Sequence, residues 1–74
     1  MQKLEALLGK TFRLPPERVT DDLSMKSLEI WDSLMHMNLV MSLEEAYAIE
    51  LTMDEIISMK DVATIRKIIS EKTR

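Results

Sequence analysis

From Ser33 to Ala48 the chain runs SLMHMNLVMSLEEAYA, without glycine or proline and dominated by leucine, methionine, glutamate and alanine. These residues lose little side-chain freedom in a helix, so the run predicts an α-helix over 33–48 on which the rest of a small fold must pack. Turned at about 100° per residue, it places Leu39, Val40, Leu43 and Tyr47 on one side, with His36 and Ala46 at the borders. The opposite side carries Leu34, Met37, Met41 and Ala48, flanked by Asn38, Glu44 and Glu45. The first stripe is the expected core face. The second, rich in methionine and rimmed by carboxylates, suits a surface that adapts to partner proteins. A helix buried all round, with Met37 and Met41 filling core, is the competing arrangement, and Glu44 and Glu45 would resist it.

The flanking segments are helical as well. Leu4, Leu7, Leu8 and Phe12 fall at helical spacing, and Pro15-Pro16 stops the pattern, so a first helix ends near Phe12 or Arg13. Leu14 to Asp32 alternates turn formers with single apolar residues such as Val19, Leu23, Met25 and Leu28, and predicts a long loop with a short helical turn around Glu17. At roughly 18 residues it exceeds the usual connection, and loops of that length tend to be functional. Thr52-Met53-Asp54-Glu55 has the pattern of a capping box and opens a short third helix. Asp61 caps a fourth, whose Val62, Ile65, Ile68 and Ile69 form one stripe. The predicted fold is all-α: a four-helix bundle with a short third helix and a long loop between helices one and two. Its core is drawn from Leu7, Leu8, Leu39, Leu43, Tyr47, Val62 and Ile65.

Seventy-four residues suffice for one domain, taken as 1–74, and leave little room for a deep enzyme cleft. The absence of cysteine removes disulfides, thiolate metal sites and cysteine nucleophiles, so any thiol chemistry must come from an added group. The start MQKLEALLGK is too polar for a secretory signal, and no apolar run approaches the roughly 20 residues of a membrane span; a cytoplasmic protein without membrane insertion is expected. Between Lys26 and Lys60 there are seven carboxylates and no lysine or arginine. That acidic middle repels nucleic-acid backbones and attracts basic protein surfaces, unless it is simply a solvated helix face.

Ser33 stands at the start of the central helix, where unpaired backbone N–H groups and the helix dipole favour an anion. A phosphodiester built on its hydroxyl would be well placed, although a serine there can equally be a plain N-cap. No residue pattern supplies the base and orienting group of a hydrolytic triad, and His36 one turn on reads as a packed or surface histidine. A metal site is not expected. A non-covalent adaptor that binds partners through the Met37/Met41 face is the alternative function, but the D-x-[DN]-x-[DN]-G loop of a calcium sensor is missing.

Taken together, DSLMHMNLVMSLEEAYAIEL, from Asp32 to Leu51, resembles the phosphopantetheine-bearing segment of acyl carrier proteins. The following MDEI and the Val62/Ile65 stripe fall at that family's distances, and the likeness extends over residues 4–70. The resemblance implies a carrier and not an enzyme, with 4'-phosphopantetheine attached to Ser33 and acyl or related intermediates held as thioesters. Asp32 and Leu34 then complete the motif read by a phosphopantetheinyl transferase that uses Mg²⁺. Met37, Met41, Glu44 and Glu45 lie on the helix that the family docks against its enzymes, and Trp31, at the loop entry, is expected to join them in the partner-binding surface. The implied partners are a loading ligase or synthase for acyl or aminoacyl groups and an acyltransferase or ketosynthase, acting on a monomeric carrier. Leu28-Glu29-Ile30-Trp31 replaces the D-L-G-A common before the motif in carriers of fatty acid synthesis, and Met35 and Asn38 replace acidic residues after it. These departures suggest a specialised stand-alone member with dedicated partners, of fatty acid, polyketide or related biosynthesis.

Overall fold

Leu4, Leu8 and Phe12 recur every fourth residue and are all buried, which fixes the inner face of the first helix, α1 (Lys3–Phe12). The computed structural model describes residues 3–73. Arg13 takes a left-handed conformation at φ 60°, and the amide of Leu14 returns to the carbonyl of Gly9 at 2.8 Å, closing the helix end. The chain then crosses back so tightly that a Cβ on Gly9 would stand 2.7 Å from the Leu14 carbonyl oxygen. Close approach, and not a special φ, is what the single glycine of the chain provides.

Pro15-Pro16 sets up the expected short turn, a 3-10 turn at Pro16–Arg18. Beyond it the long loop is pinned by Val19 and Trp31, both buried, and by half-buried Leu23, Met25, Leu28 and Ile30. It is also stitched by backbone bonds to the distant start of the last helix and the residues just before it. Met25 donates to the carbonyl of Lys60 (3.0 Å), Val62 to that of Leu23 (3.0 Å) and Ala63 to that of Asp21 (3.3 Å). Arg66 extends the stitch, bonding Asp21 at 3.0 Å and Glu5 at 3.4 Å.

The central helix α2 (Ser33–Tyr47) stops one residue short of the sequence expectation, because Ala48 turns left-handed at φ 55° and caps it. Thr52 and Glu55 form the anticipated capping box of α3 (Met53–Ser58), and Asp61 accepts from Thr64 to cap α4 (Val62–Lys72). Among the described residues there are thus four helices and no strand, only the single bridge between Ser24 and Asp61. The core joins Leu8 and Phe12 of α1 to Leu39, Val40 and Leu43 of α2 and to Val62, Ile65, Ile68 and Ile69 of α4. Met59, between α3 and α4, is fully enclosed among them.

Two residues expected in the core are only half-buried. Leu7 and Tyr47 sit at its edge, packed against it from outside. The Tyr47 ring carries the Lys3 ammonium over its face at 4.7 Å, and burial together with Glu5 raises its phenol above the usual pKa.

Candidate functional site

The start of α2 is organised by Asp32. Its carboxylate accepts the amide of Met35 at 2.9 Å and its carbonyl accepts that of His36 at 2.8 Å, so Asp32 is the N-cap and Ser33 the first helical residue. The plain capping role that a serine here could have filled therefore belongs to its neighbour. Ser33 is exposed, and its hydroxyl is not needed to terminate the helix. Of the first-turn N–H groups the Asp32 side chain takes that of Met35, which leaves those of Ser33 and Leu34 for solvent or for an anion on the serine oxygen.

Beneath this surface lies a polar pair that the sequence did not announce. The indole N–H of Trp31 donates to Nδ1 of His36 at 3.0 Å, and the opposite ring nitrogen donates to the carbonyl of Ile56 in α3 at 2.8 Å. Both bonds together require the neutral imidazole with its proton on Nε2. Trp31 also packs on Phe12, with ring centroids 4.7 Å apart. With both nitrogens engaged inward, His36 is not available as a base for Ser33, and the arrangement is not that of a hydrolase.

Trp31 corrects the sequence expectation. Proposed there as part of a docking surface, it is 1% exposed and belongs to the core. Its indole fills the space between loop and α1 and finds its hydrogen-bond partner inside, so it offers nothing to a docking protein.

The outer face of α2 divides more finely than its helical wheel. Leu34, Met37 and Met41 are 74%, 48% and 64% exposed, and Glu45 beside them is exposed as well. Glu44 is different: half-buried, it accepts the amide of Leu51 at 3.0 Å and so holds the turn that follows the helix. Its charge serves the fold as well as the surface. The third helix adds exposed Met53 and Ile57, which the sequence analysis did not single out. Six residues with apolar side chains on more than one side cannot all face inward, and that was the available signal.

Among the described residues no cluster of three or more histidine, cysteine, aspartate or glutamate side chains could hold a metal ion, and no helix is long and apolar enough to cross a membrane. What the site offers is an exposed hydroxyl at the positive end of a helix, beside an uncovered apolar face. A family model described as phosphopantetheine attachment site matches residues 2–71. The fold is similar to the solution NMR structure of holo acyl carrier protein from Geobacter metallireducens, with a TM-score of 0.81 and 31% identity over 97% of this chain and 86% of that one. No curated protein sequence matches the chain.

Proposed function

The chain belongs to the phosphopantetheine-attachment family as an acyl carrier protein, and from that premise we propose that Ser33 is the residue that bears its 4'-phosphopantetheine. When attached, that group supplies the thiol which this cysteine-free chain lacks, and on which acyl groups are carried as thioesters. The protein itself is a carrier and not a catalyst, a substrate of phosphopantetheinyl transferase and of biosynthetic enzymes in general.

One observation supports Ser33 above all: Asp32 takes over the cap, so the serine keeps an exposed hydroxyl at the N-terminus of α2. The residues present fit the group. A phosphodiester on that oxygen lies next to the first-turn amides of Ser33 and Leu34, where the helix dipole favours negative charge. Ser24, Ser27, Ser42, Ser58 and Ser70 lack this setting: Ser24 and Ser27 bond each other in the loop, Ser58 bonds back to Glu55, and Ser42 and Ser70 lie within helices. Met37 and Met41 with Glu45 provide the contact for partner enzymes, with apolar side chains for adhesion and a carboxylate for steering. The partners of this reading are a loading ligase or synthase and an acyltransferase or ketosynthase of a specialised cytoplasmic pathway.

Incubation with coenzyme A, Mg²⁺ and a broad-specificity transferase should add one arm to the wild-type chain, seen as a single increment in intact mass. Ser33→Ala should retain the helical circular dichroism spectrum and take none. An arm on the alanine variant would overturn the assignment.

A further inference from the structure

We propose that the interior of this carrier is closed to its own cargo, that Trp31 and His36 close it, and that the acyl groups it carries are accordingly short or polar. The inference rests on Ser33 as the attachment residue. One turn on from Ser33 along α2 stand His36 and Met37, the residues that a chain tethered there meets first. His36 is turned inward, its ring on the carbonyl of Ile56 in α3, so a chain heading for the interior on that side meets it first. Met37 is turned out to the exposed face.

The inward way is bolted. Ile56 lies in the last turn of the six-residue α3, where carbonyls have no intrahelical donor, and the amide of Lys60 goes to Ser58 instead. The imidazole of His36 therefore caps the end of α3, and the indole of Trp31, wedged against Phe12, holds the imidazole in the tautomer that does so. An apolar chain entering this seam would have to part both bonds. It would leave an indole N–H, a ring nitrogen and a carbonyl buried without partners, a penalty set against every methylene that it buried.

The outward way is open. Leu34, Met37 and Met41 stand exposed along it. Cargo resting there stays in contact with water until a partner covers it, and a long hydrocarbon would enlarge an already apolar patch. Short or polar acyl groups suit such a carrier.

The test uses the whole protein loaded by a transferase with butyryl- or octanoyl-pantetheine from the matching coenzyme A thioesters, with loading read by intact mass. Failure to load at all would count against Ser33 and shows before the cargo is compared. In loaded protein, the NMR resonance of the Trp31 indole N–H should be the same with either cargo, and hydroxylamine should cleave both thioesters at the same rate. Displacement of that resonance by octanoyl alone would overturn the proposal, as would protection of the octanoyl thioester, expected at roughly 200-fold if its four additional methylenes were buried. Trp31→Leu combined with His36→Leu should gain that protection. A double variant with wild-type circular dichroism and no gain would show that these side chains are not what closes the interior.

Discussion

Met41 and Leu43 stand two residues apart on α2 and face opposite ways, so the pair separates docking from folding on a single helix. Leu43 is 0% exposed among the core residues, and its truncation to alanine removes buried methyl groups and leaves a cavity, at a cost of about 2–5 kcal/mol. Met41 is 64% exposed and keeps only about a third of the roughly 1.5–3 kcal/mol that full burial of such a side chain is worth, so Met41→Ala should cost about 0.5–1 kcal/mol. The better helix propensity of alanine reduces even that. For a domain of this size each kcal/mol moves the thermal midpoint by about 4–8 °C, which places the two variants clearly apart. Urea unfolding followed by circular dichroism, with equal slopes, gives the free energies. The same variants are then compared as acceptors of phosphopantetheine. Met41→Ala should lose about fivefold or more in transferase kcat/KM, the equivalent of about 1 kcal/mol of interface contact. A Met41→Ala protein as unstable as Leu43→Ala, or one modified at the wild-type rate, would refute the assignment of this face to partners.

The two neighbouring glutamates should behave differently. Glu45→Lys should slow modification at low ionic strength and lose that effect as salt is raised, with a stability change below about 1 kcal/mol, whereas Glu44→Lys should cost about 1–3 kcal/mol because the Leu51 amide loses its acceptor; stopped-flow modification and thermal melts distinguish them. Stability should also fall in acid. The Thr64 amide holds the Asp61 carboxyl below its ordinary pKa, and the Thr52 amide, followed by Lys72, does the same for Glu55. Since the folded values lie below the unfolded ones of about 3.9 and 4.3, this contribution is full above about pH 4–5 and is lost as the pH falls through the folded values. The urea midpoint should decline over that range, and Asp61→Asn, which keeps an oxygen for the cap, should make the decline shallower; an unchanged slope would count against Asp61.

The parts of the fold that local chemistry controls were legible in the chain. Thr52 and Glu55 sit three apart because each serves the other's backbone, and Asp61 precedes an apolar stripe because the stripe needs a start; both signals are contained within a few residues. The setting proposed for the arm, Asp32-Ser33 at the head of a long helix, is local in the same way. What stayed hidden depends on where distant segments meet. Trp31 is adjacent in sequence to the exposed Asp32, yet its ring is directed by the path of the loop towards Phe12 and His36, and no periodicity runs through that loop. Glu44 lies on the outer half of a helical wheel, but the left-handed turn at Ala48 brings the amide of Leu51 back to its carboxylate. His36, placed at the border of the core stripe, became interior once α3 laid the carbonyl of Ile56 beside it.

The backbone stitch between Asp21–Met25 and Lys60–Ala63 limits how this carrier can be recombined with others. Exchanging the long loop by itself would give the incoming segment a foreign partner segment at the start of α4, with main-chain groups of Leu23, Met25, Lys60 and Val62 out of register. Asp21 would carry a second mismatch, since Arg66 reaches it from α4. A chimera that keeps its stability must therefore inherit the loop and the α3–α4 junction from the same parent. By contrast α2, joined to its flanks through a cap of its own at Asp32 and a turn of its own at Ala48, is the natural unit of exchange for redirecting the carrier to other enzymes, provided that Trp31 and Ile56 still find a histidine between them.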